Sequence, residues 1–118
     1  MINETQQSIS RWAEDTFGPQ HPAEVAARMN VEVAELVSGL AGVASVPVER
    51  MDPERVRALQ DECADVYIML AQVAELLNVD LQTAVNIKMR VNRDRTWGRS
   101  PTGKMQHVDN PLCEGEPA

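Results

Sequence analysis

Apolar residues recur every three or four positions in four segments of the chain, a spacing typical of amphipathic α-helices. The predicted helices cover residues 3–17, 22–40, 53–77 and 81–97. Gly18 ends the first helix, and Pro22 and Pro53 occupy tolerated first-turn positions. Asp52 and Asp80 precede the third and fourth helices as N-caps. Because short links favour antiparallel neighbours, the pattern predicts an all-α four-helix bundle.

Two segments lack this periodicity. Residues 43–51 connect the second and third helices, and a short strand there would have no evident partner. The tail from Arg99 onward contains prolines and glycines and is expected to be irregular. We therefore expect one helical domain, 1–98, and an irregular tail, 99–118, in which Lys104 and His107 suggest a partial lid over the site.

The apolar stripes also predict which side chains are buried. Ile9, Trp12, Ala13 and Phe17 form one stripe of the first helix, so we expect Trp12 to pack in the core in preference to stacking on a ligand. Tyr67 of the third helix is expected in the core too. The second and third helices are apolar around most of their circumference, more than a small bundle buries. This excess predicts a homodimer at least.

Four acidic residues interrupt the apolar stretches. Glu32 and Glu35 form a first box on the second helix, and Glu62 and Asp65 form a second box on the third. A spacing of three residues places each pair on one helix face. An unpaired buried carboxylate is costly, so such groups are neutralised, paired or bound to a metal. The alternative is that the acids are solvated or paired with arginines such as Arg28.

The types of ligand available indicate which metal is bound. A pair of acidic boxes on facing helices offers only oxygen ligands, which suit Mg²⁺ or Mn²⁺. Helical di-iron sites use Glu-x-x-His, and neither box has a histidine at the third position. His21 and His107 lie outside both boxes, so zinc is not expected. Arg57, like Arg28, remains a possible ion-pair partner of the acids.

Charge and composition narrow the classes of partner. The 118 residues carry a formal net charge of −7, which argues against nucleic-acid polymers and anionic membranes. Two cysteines give no disulfide framework, and the sequence shows no signal peptide or membrane span. We therefore expect a cytoplasmic protein.

Basic residues are concentrated near the C-terminus despite the negative net charge. Lys88, Asn92 and Arg95 recur at helical spacing on one face of the fourth helix. Ammonium, amide and guanidinium groups suit phosphate oxygens, and a cationic face opposite a carboxylate-bound metal would suit a polyphosphate. The alternative is a solvated basic face near a helix C-terminus. Trp12 and Trp97 are scarce flat side chains and are the candidates for stacking on a nucleobase, although core packing is the expectation for Trp12.

Three segments together resemble a known family. EVAEL, DECADVYIML and VDLQTAVNIKMRVNRDRTW, within residues 29–97, are similar to the MazG-like, all-α nucleoside triphosphate pyrophosphohydrolases. The ordered boxes and the K-x-x-x-N-x-x-R helix carry this resemblance. The family often has a further Glu directly before the first box, where this chain has Val31, so one contact to the metal is expected to be missing.

The resemblance implies hydrolysis of (deoxy)nucleoside triphosphates to monophosphate and pyrophosphate, in nucleotide-pool control or house-cleaning. It implies that both boxes bind Mg²⁺, that one of their acids or a neighbour activates the attacking water, and that the basic face holds the phosphates. It also implies a homodimer or homotetramer. The alternatives are a narrow-specificity enzyme of the dUTPase-like or dCTP type, and a non-catalytic helical oligomerisation module.

Overall fold

A computed structural model of the chain describes residues 2–99 and 105–108, without the side chains of 96, 97, 99 and 105–108. The elements are helices α1 (Gln6–Phe17), α2 (Pro22–Ala41), α3 (Pro53–Leu76) and α4 (Leu81–Asp94), a 3-10 turn at Val48–Arg50, and strands β1 (Thr96–Arg99) and β2 (Met105–Val108). One compact unit, the N-terminal unit, ends at Leu81, and a second begins at Gln82. The predicted all-α class with four helices is confirmed. None of the described helices is long and apolar enough to cross a membrane.

Side-chain caps fix where the helices begin. The Ser8 N–H donates to Thr5 Oγ1 at 3.0 Å, and the Thr5 N–H donates to Ser8 Oγ at 2.7 Å. This capping box satisfies donors that the first helical turn leaves free, so α1 begins at Gln6 and not at residue 3. The predicted cap of α3 is confirmed, because the Glu54 N–H donates to Asp52 Oδ1 at 3.0 Å.

The core of the N-terminal unit is formed where α3 packs against α1 and α2. Its buried apolar side chains are Ile9, Ala13, Val25, Leu59, Ala71 and Ala74. Gly39 lets α2 approach α3 closely, since a Cβ built at this position would lie 3.0 Å from Leu59 Cδ2. A core of mostly small side chains leaves much apolar surface on the outside of the helices.

Three aromatic side chains that we expected in the core are exposed. The exposed fraction is 53% for Trp12, 54% for Phe17 and 61% for Tyr67. Only a narrow row of α1, with Ile9 and Ala13, is buried. The buried face is therefore narrower than the apolar stripe predicted from the sequence. The rings of Trp12 and Phe17 instead pack edge to face, with centroids 5.5 Å apart.

The end of α4 also differs from the prediction. The helix ends at Asp94, and β1 pairs antiparallel with β2, from Thr96 opposite Val108 to Arg99 opposite Met105. β-branched and aromatic residues favour strands, and β2 offers a partner that the sequence pattern did not reveal. The expectation of an irregular tail is therefore wrong for residues 105–108, while 100–104 and 109–118 lie outside the described residues. In the 43–51 link, the considered strand is replaced by the 3-10 turn.

A glutamine of α1 forms hydrogen bonds to the connection between α3 and α4. Gln6 Nε2 donates to Glu75 Oε1 at 2.9 Å and to the Val79 carbonyl at 2.6 Å, and Gln6 Oε1 accepts from the Leu81 N–H at 2.9 Å. Asn78 ends α3 in the left-handed region, with φ of 58°. We call these contacts the Gln6 lock, since they tie the start of α1 to the end of α3.

Candidate metal centre and adjoining cleft

The packing of α2 against α3 brings the two acidic boxes together. Glu32 and Glu35 of α2 and Glu62 of α3 each offer a carboxylate oxygen, and these three oxygens lie within 4.8 Å of one another. We call these three residues the acid cluster. Asp65 is not one of them, but its charge acts on both Glu32 and Glu62. The convergence predicted from two separate helices is therefore present for three of the four acids.

The electrostatics of the acid cluster are unfavourable without a cation. Burial raises the pKa of Glu32, and the neighbouring charges of Glu35 and Asp65 raise it further. Burial and then the same two neighbours raise the pKa of Glu62. An arginine partner would lower these pKa values. Within the described residues, Glu62 Oε2 is buried without a hydrogen-bond partner. Burial and neighbouring acids account for these pKa shifts, and no cationic side chain among the described residues offsets them.

The donor set fits a hard divalent cation. It consists of carboxylate oxygens, which Mg²⁺ and Mn²⁺ prefer, and the unpartnered Glu62 Oε2 leaves a lone pair for such an ion. His21 has a structural role instead, because its Nδ1 accepts from the Ala23 N–H at 3.0 Å and caps α2. The His107 side chain lies outside the described part.

A cleft of about 220 Å³ adjoins the acid cluster and is lined by residues of α1, α2 and α3. Its walls combine aromatic, polar and acidic side chains. They include Trp12, Phe17, Arg28, Glu32, Asp65 and Gln72. Because Glu32 belongs to both the cluster and the cleft, a molecule in the cleft would lie beside any bound metal. Trp12, which we expected to be in the core, is instead part of this wall.

Three residues of the cleft were not predicted as binding residues. The sequence pattern places Phe17 on a core stripe and Arg28 in a possible ion pair, and it predicts no role for Gln72. The spacing contains a signal for two of them, because Arg28 precedes Glu32 by about one turn and Gln72 follows Asp65 by about two turns. Side chains at those spacings share a helix face with the acids.

The predicted phosphate-binding residues belong to the second unit. Lys88 is exposed on α4, and Asn92 follows one turn later, with its Nδ2 3.8 Å from Met89 Sδ. Arg95 lies beyond the end of the helix, so the predicted face carries two of the three residues on α4 itself. Their role in phosphate binding stays a prediction. The side chain of Trp97 lies outside the described residues.

Comparisons with known proteins bear on the identity of this site. No family model matches the chain. A dATP/dGTP diphosphohydrolase of Salmonella phage PMBT28 is 34% identical over 107 residues, which are 91% of this chain and 31% of that protein. A dATP/dGTP diphosphohydrolase of Cyanophage S-2L is 29% identical over 107 residues, 91% of this chain and 88% of that protein. The chain therefore spans about a third of the first relative and most of the second.

A solved structure is similar in both sequence and fold. It is the Cyanophage S-2L MazG-like pyrophosphohydrolase bound to dGDP and three catalytic Mn²⁺ ions per active site. The TM-score is 0.63 with 28% sequence identity, and the match covers 88% of this chain and 93% of that one. The metal ions of that protein agree with the cation type expected from the acid cluster. The resemblance to the MazG-like pyrophosphohydrolases seen in the sequence is confirmed by this similarity of sequence and fold.

Proposed function

We propose that the chain is a metal-dependent hydrolase of purine deoxynucleoside triphosphates that releases a nucleoside monophosphate and pyrophosphate. The observation that carries this proposal is the convergence of Glu32, Glu35 and Glu62 within 4.8 Å, beside a cleft with an aromatic wall. The names of both sequence relatives and the dGDP in the related structure support the same reaction. We also propose a role in nucleotide-pool control or house-cleaning, in the cytoplasm.

The acids of both boxes would hold the metal. We assign this role to Glu32, Glu35, Glu62 and Asp65, with Mg²⁺ or Mn²⁺ as the cation. When bound, the metal would offset phosphate charge and favour the ionised form of a water molecule. The clustering of like charges supports the assignment, because their mutual repulsion is relieved only when positive charge arrives.

The reaction replaces one phosphoanhydride bond with a bond to water. The oxygen of water bonds to the α-phosphorus, the bond from that phosphorus to the bridging oxygen breaks, and pyrophosphate leaves with the bond electrons. The water proton passes to a carboxylate oxygen. We assign this role to an oxygen of Glu32, because Glu32 belongs to the acid cluster and also lines the cleft.

The side chains that would bind the phosphates of the substrate belong to the second unit. We propose that Lys88, Asn92 and Arg95 contact the phosphate oxygens, as their side-chain chemistry predicts. Trp97, two residues after Arg95, is proposed to pack beside the substrate. The residues of 99–118, including Lys104 and His107, are proposed as a partial lid.

The cleft is proposed as the site of the nucleobase. Trp12 and Phe17 present aromatic surface there, and Trp12 retains 53% of its surface for contact with a flat ring. A purine is favoured over the dUTP and dCTP alternatives because the relatives are named for dATP and dGTP.

Self-association is proposed as well. Large apolar side chains lie exposed on the N-terminal unit, with exposed fractions of 57% for Val31, 60% for Val37 and 61% for Tyr67. Contact between copies of the chain would bury this apolar surface and so add to the limited apolar burial of the small core. We therefore propose a homodimer or homotetramer, and sedimentation as a monomer would contradict it.

The proposal is tested by incubating the protein with each canonical dNTP and NTP, with Mg²⁺, with Mn²⁺ and with a chelator. We expect pyrophosphate and monophosphate in equal amounts, only with metal and fastest with dATP and dGTP. Folded protein that releases no pyrophosphate from any nucleotide would refute the enzymatic proposal and leave the non-catalytic oligomerisation module.

A further inference from the structure

We propose that Gln72 lets the cleft accept both adenine and guanine, and that Arg28 supplies a fixed donor to the N7 atom that the two bases share. This inference rests on the proposed function, because it concerns how the same cleft selects its substrates. It assigns base selection to two side chains of the cleft wall, one of which, Arg28, also contacts Gln20 and Phe17.

Gln72 is unusual because it is polar, buried and unpaired. Its exposed fraction is 4%, the lowest of any polar side chain described, and it lines the cleft. Its side-chain amide makes no hydrogen bond to any other described residue. Its neighbours on the cleft wall include Ile68 and Met69, which are apolar. Neither of its amide atoms is among the fully enclosed polar atoms without a partner. The amide therefore keeps accessible surface, and a molecule bound in the cleft can complete its hydrogen bonds.

Arg28 presents a donor whose orientation is constrained on two sides. Its Nη2 donates to Gln20 Oε1 at 3.0 Å, and its guanidinium carbon lies 5.9 Å from the centre of the Phe17 ring. Arg28 Nε is buried and has no hydrogen-bond partner among the described residues. Since arginine remains protonated, this group can only donate.

The two purines differ at one position of the edge that such groups would contact. Adenine offers the acceptor N7 and a 6-amino donor, whereas guanine offers the acceptors N7 and O6. The fixed donor of Arg28 suits the shared N7. The amide of Gln72 suits either 6-substituent, because rotation by half a turn exchanges its oxygen for its nitrogen. Pyrimidines have no N7 and would leave Arg28 unpaired.

The first test replaces the rotatable amide with a group that only accepts. Gln72→Glu should retain binding of a 6-amino purine and weaken binding of a 6-oxo purine. We expect the ratio of dissociation constants for the α,β-imido analogues of dGTP and dATP to rise at least about tenfold, as for a lost base contact. The measurement is calorimetric titration with Mg²⁺ present. Gln7→Glu, the same change at an exposed position of α1, should leave the ratio unchanged.

The second test does not require a buried carboxylate to be tolerated. Gln72→Met keeps the side-chain volume but removes both hydrogen-bonding groups. Wild-type protein should bind the dATP analogue at least about fivefold more tightly than the corresponding purine nucleotide that lacks a 6-substituent. In Gln72→Met the two ligands should bind equally, and a merely structural role for Gln72 would not produce this equality.

The outcomes separate the inference from the proposed function. Unchanged base ratios in both variants, with purine nucleotides still bound and hydrolysed, would overturn the role of Gln72 alone. Wild-type protein that neither binds nor hydrolyses any nucleotide would overturn the proposed function and the inference with it. A ratio shifted in Gln72→Glu and equalised in Gln72→Met would establish Gln72 as the residue that accepts both bases.

Discussion

Two groups of polar side chains in the N-terminal unit differ in whether their polar atoms have hydrogen-bond partners. In the Gln6 lock, the amide donates to Glu75 Oε1 and the Val79 carbonyl and accepts from the Leu81 N–H. In the acid cluster, three carboxylates of like charge converge, and Glu62 Oε2 is buried without a partner in the described part of the chain. The lock is complete as it stands, whereas the cluster is complete only with a cation.

This difference indicates what each group does. Buried polar groups are normally hydrogen-bonded, and those that are not require an explanation. Satisfied groups such as Gln6 stabilise the fold, while unsatisfied groups are commonly found where a protein binds or reacts. Mutations in the lock should therefore affect stability, and mutations in the cluster should affect function.

The largest expected effect is on catalysis. Glu35→Gln and Asp65→Asn should each lower the rate of pyrophosphate release by more than about 100-fold, because even changes next to metal ligands cost 10- to 100-fold. Gln6→Ala is the matched control from the lock and should retain activity below its unfolding temperature. Similar losses in all three variants would mean that the two groups do not differ in function.

The second effect is stabilisation by metal. Mn²⁺ at about 100 times its dissociation constant should raise the free energy of unfolding by about 2.7 kcal/mol, because it binds the folded chain only. Thermal unfolding with Mn²⁺ and with a chelator measures the difference. Gln6→Ala should show the same gain, and Glu62→Gln should lose most of it. An undiminished gain in Glu62→Gln would place the metal elsewhere.

The third effect is the stability cost of opening the lock. Gln6→Ala should lower the free energy of unfolding by about 0.5–1.5 kcal/mol, because it removes the partner of the Val79 carbonyl and of the part-buried Leu81 N–H. Chemical denaturation measures this cost. Gln7→Ala, at the exposed neighbouring position, is the control. A cost no larger than that of the control would show that the lock does not stabilise the unit.

The fourth effect is an increase in thermal stability, whereas opening the lock decreases stability. With metal removed, Glu62→Gln should raise the midpoint of thermal unfolding, because it removes one of the charges that repel within the cluster. Glu49→Gln removes an exposed acid outside the cluster and should change the midpoint less. A lower midpoint in Glu62→Gln than in wild type would mean that Glu62 has a stabilising partner.

The smallest effect is on the pH dependence of the metal-free protein. The folded chain raises the pKa of Glu32 and Glu62 above the ordinary value of 4.5, so it binds more protons than the unfolded chain above that pH. The contribution of these groups to stability is full below that pKa and is lost as pH rises through the raised values. Wild type should therefore lose more stability than Glu62→Gln as the pH rises above 4.5. Parallel curves would contradict the electrostatic account.

The sequence was sufficient for features that depend on local spacing. The four helices, the Asp52 cap and the approach of the acidic boxes follow from periodicity and capping rules. The exposure of Trp12 was not predictable in this way, since it depends on which row of α1 meets α3. The end of α4 was missed because β1 is specified by its pairing with β2, several residues further along the chain.

Gln72 shows a further limit of prediction from the sequence. A glutamine on a helix is ordinarily exposed, and nothing local marks this one as buried. Its burial depends on how closely the neighbouring helices pack around α3, which no single segment encodes. The cleft therefore had to be found in the structure, although its acids were recognisable in the sequence.

Gly39 gives the metal centre a mechanical constraint. This residue lies about one turn from Glu35 on α2, and its missing side chain makes room for Leu59, about one turn before Glu62 on α3. The fit of the Leu59 side chain against Gly39 therefore contributes to the separation of α2 and α3 beside the two boxes. A methyl carbon added at Gly39 would lie 3.0 Å from Leu59 Cδ2, so the Leu59 side chain or the helices would have to shift slightly. The fit between the helices beside the acid cluster thus depends on an atom that the chain does not have.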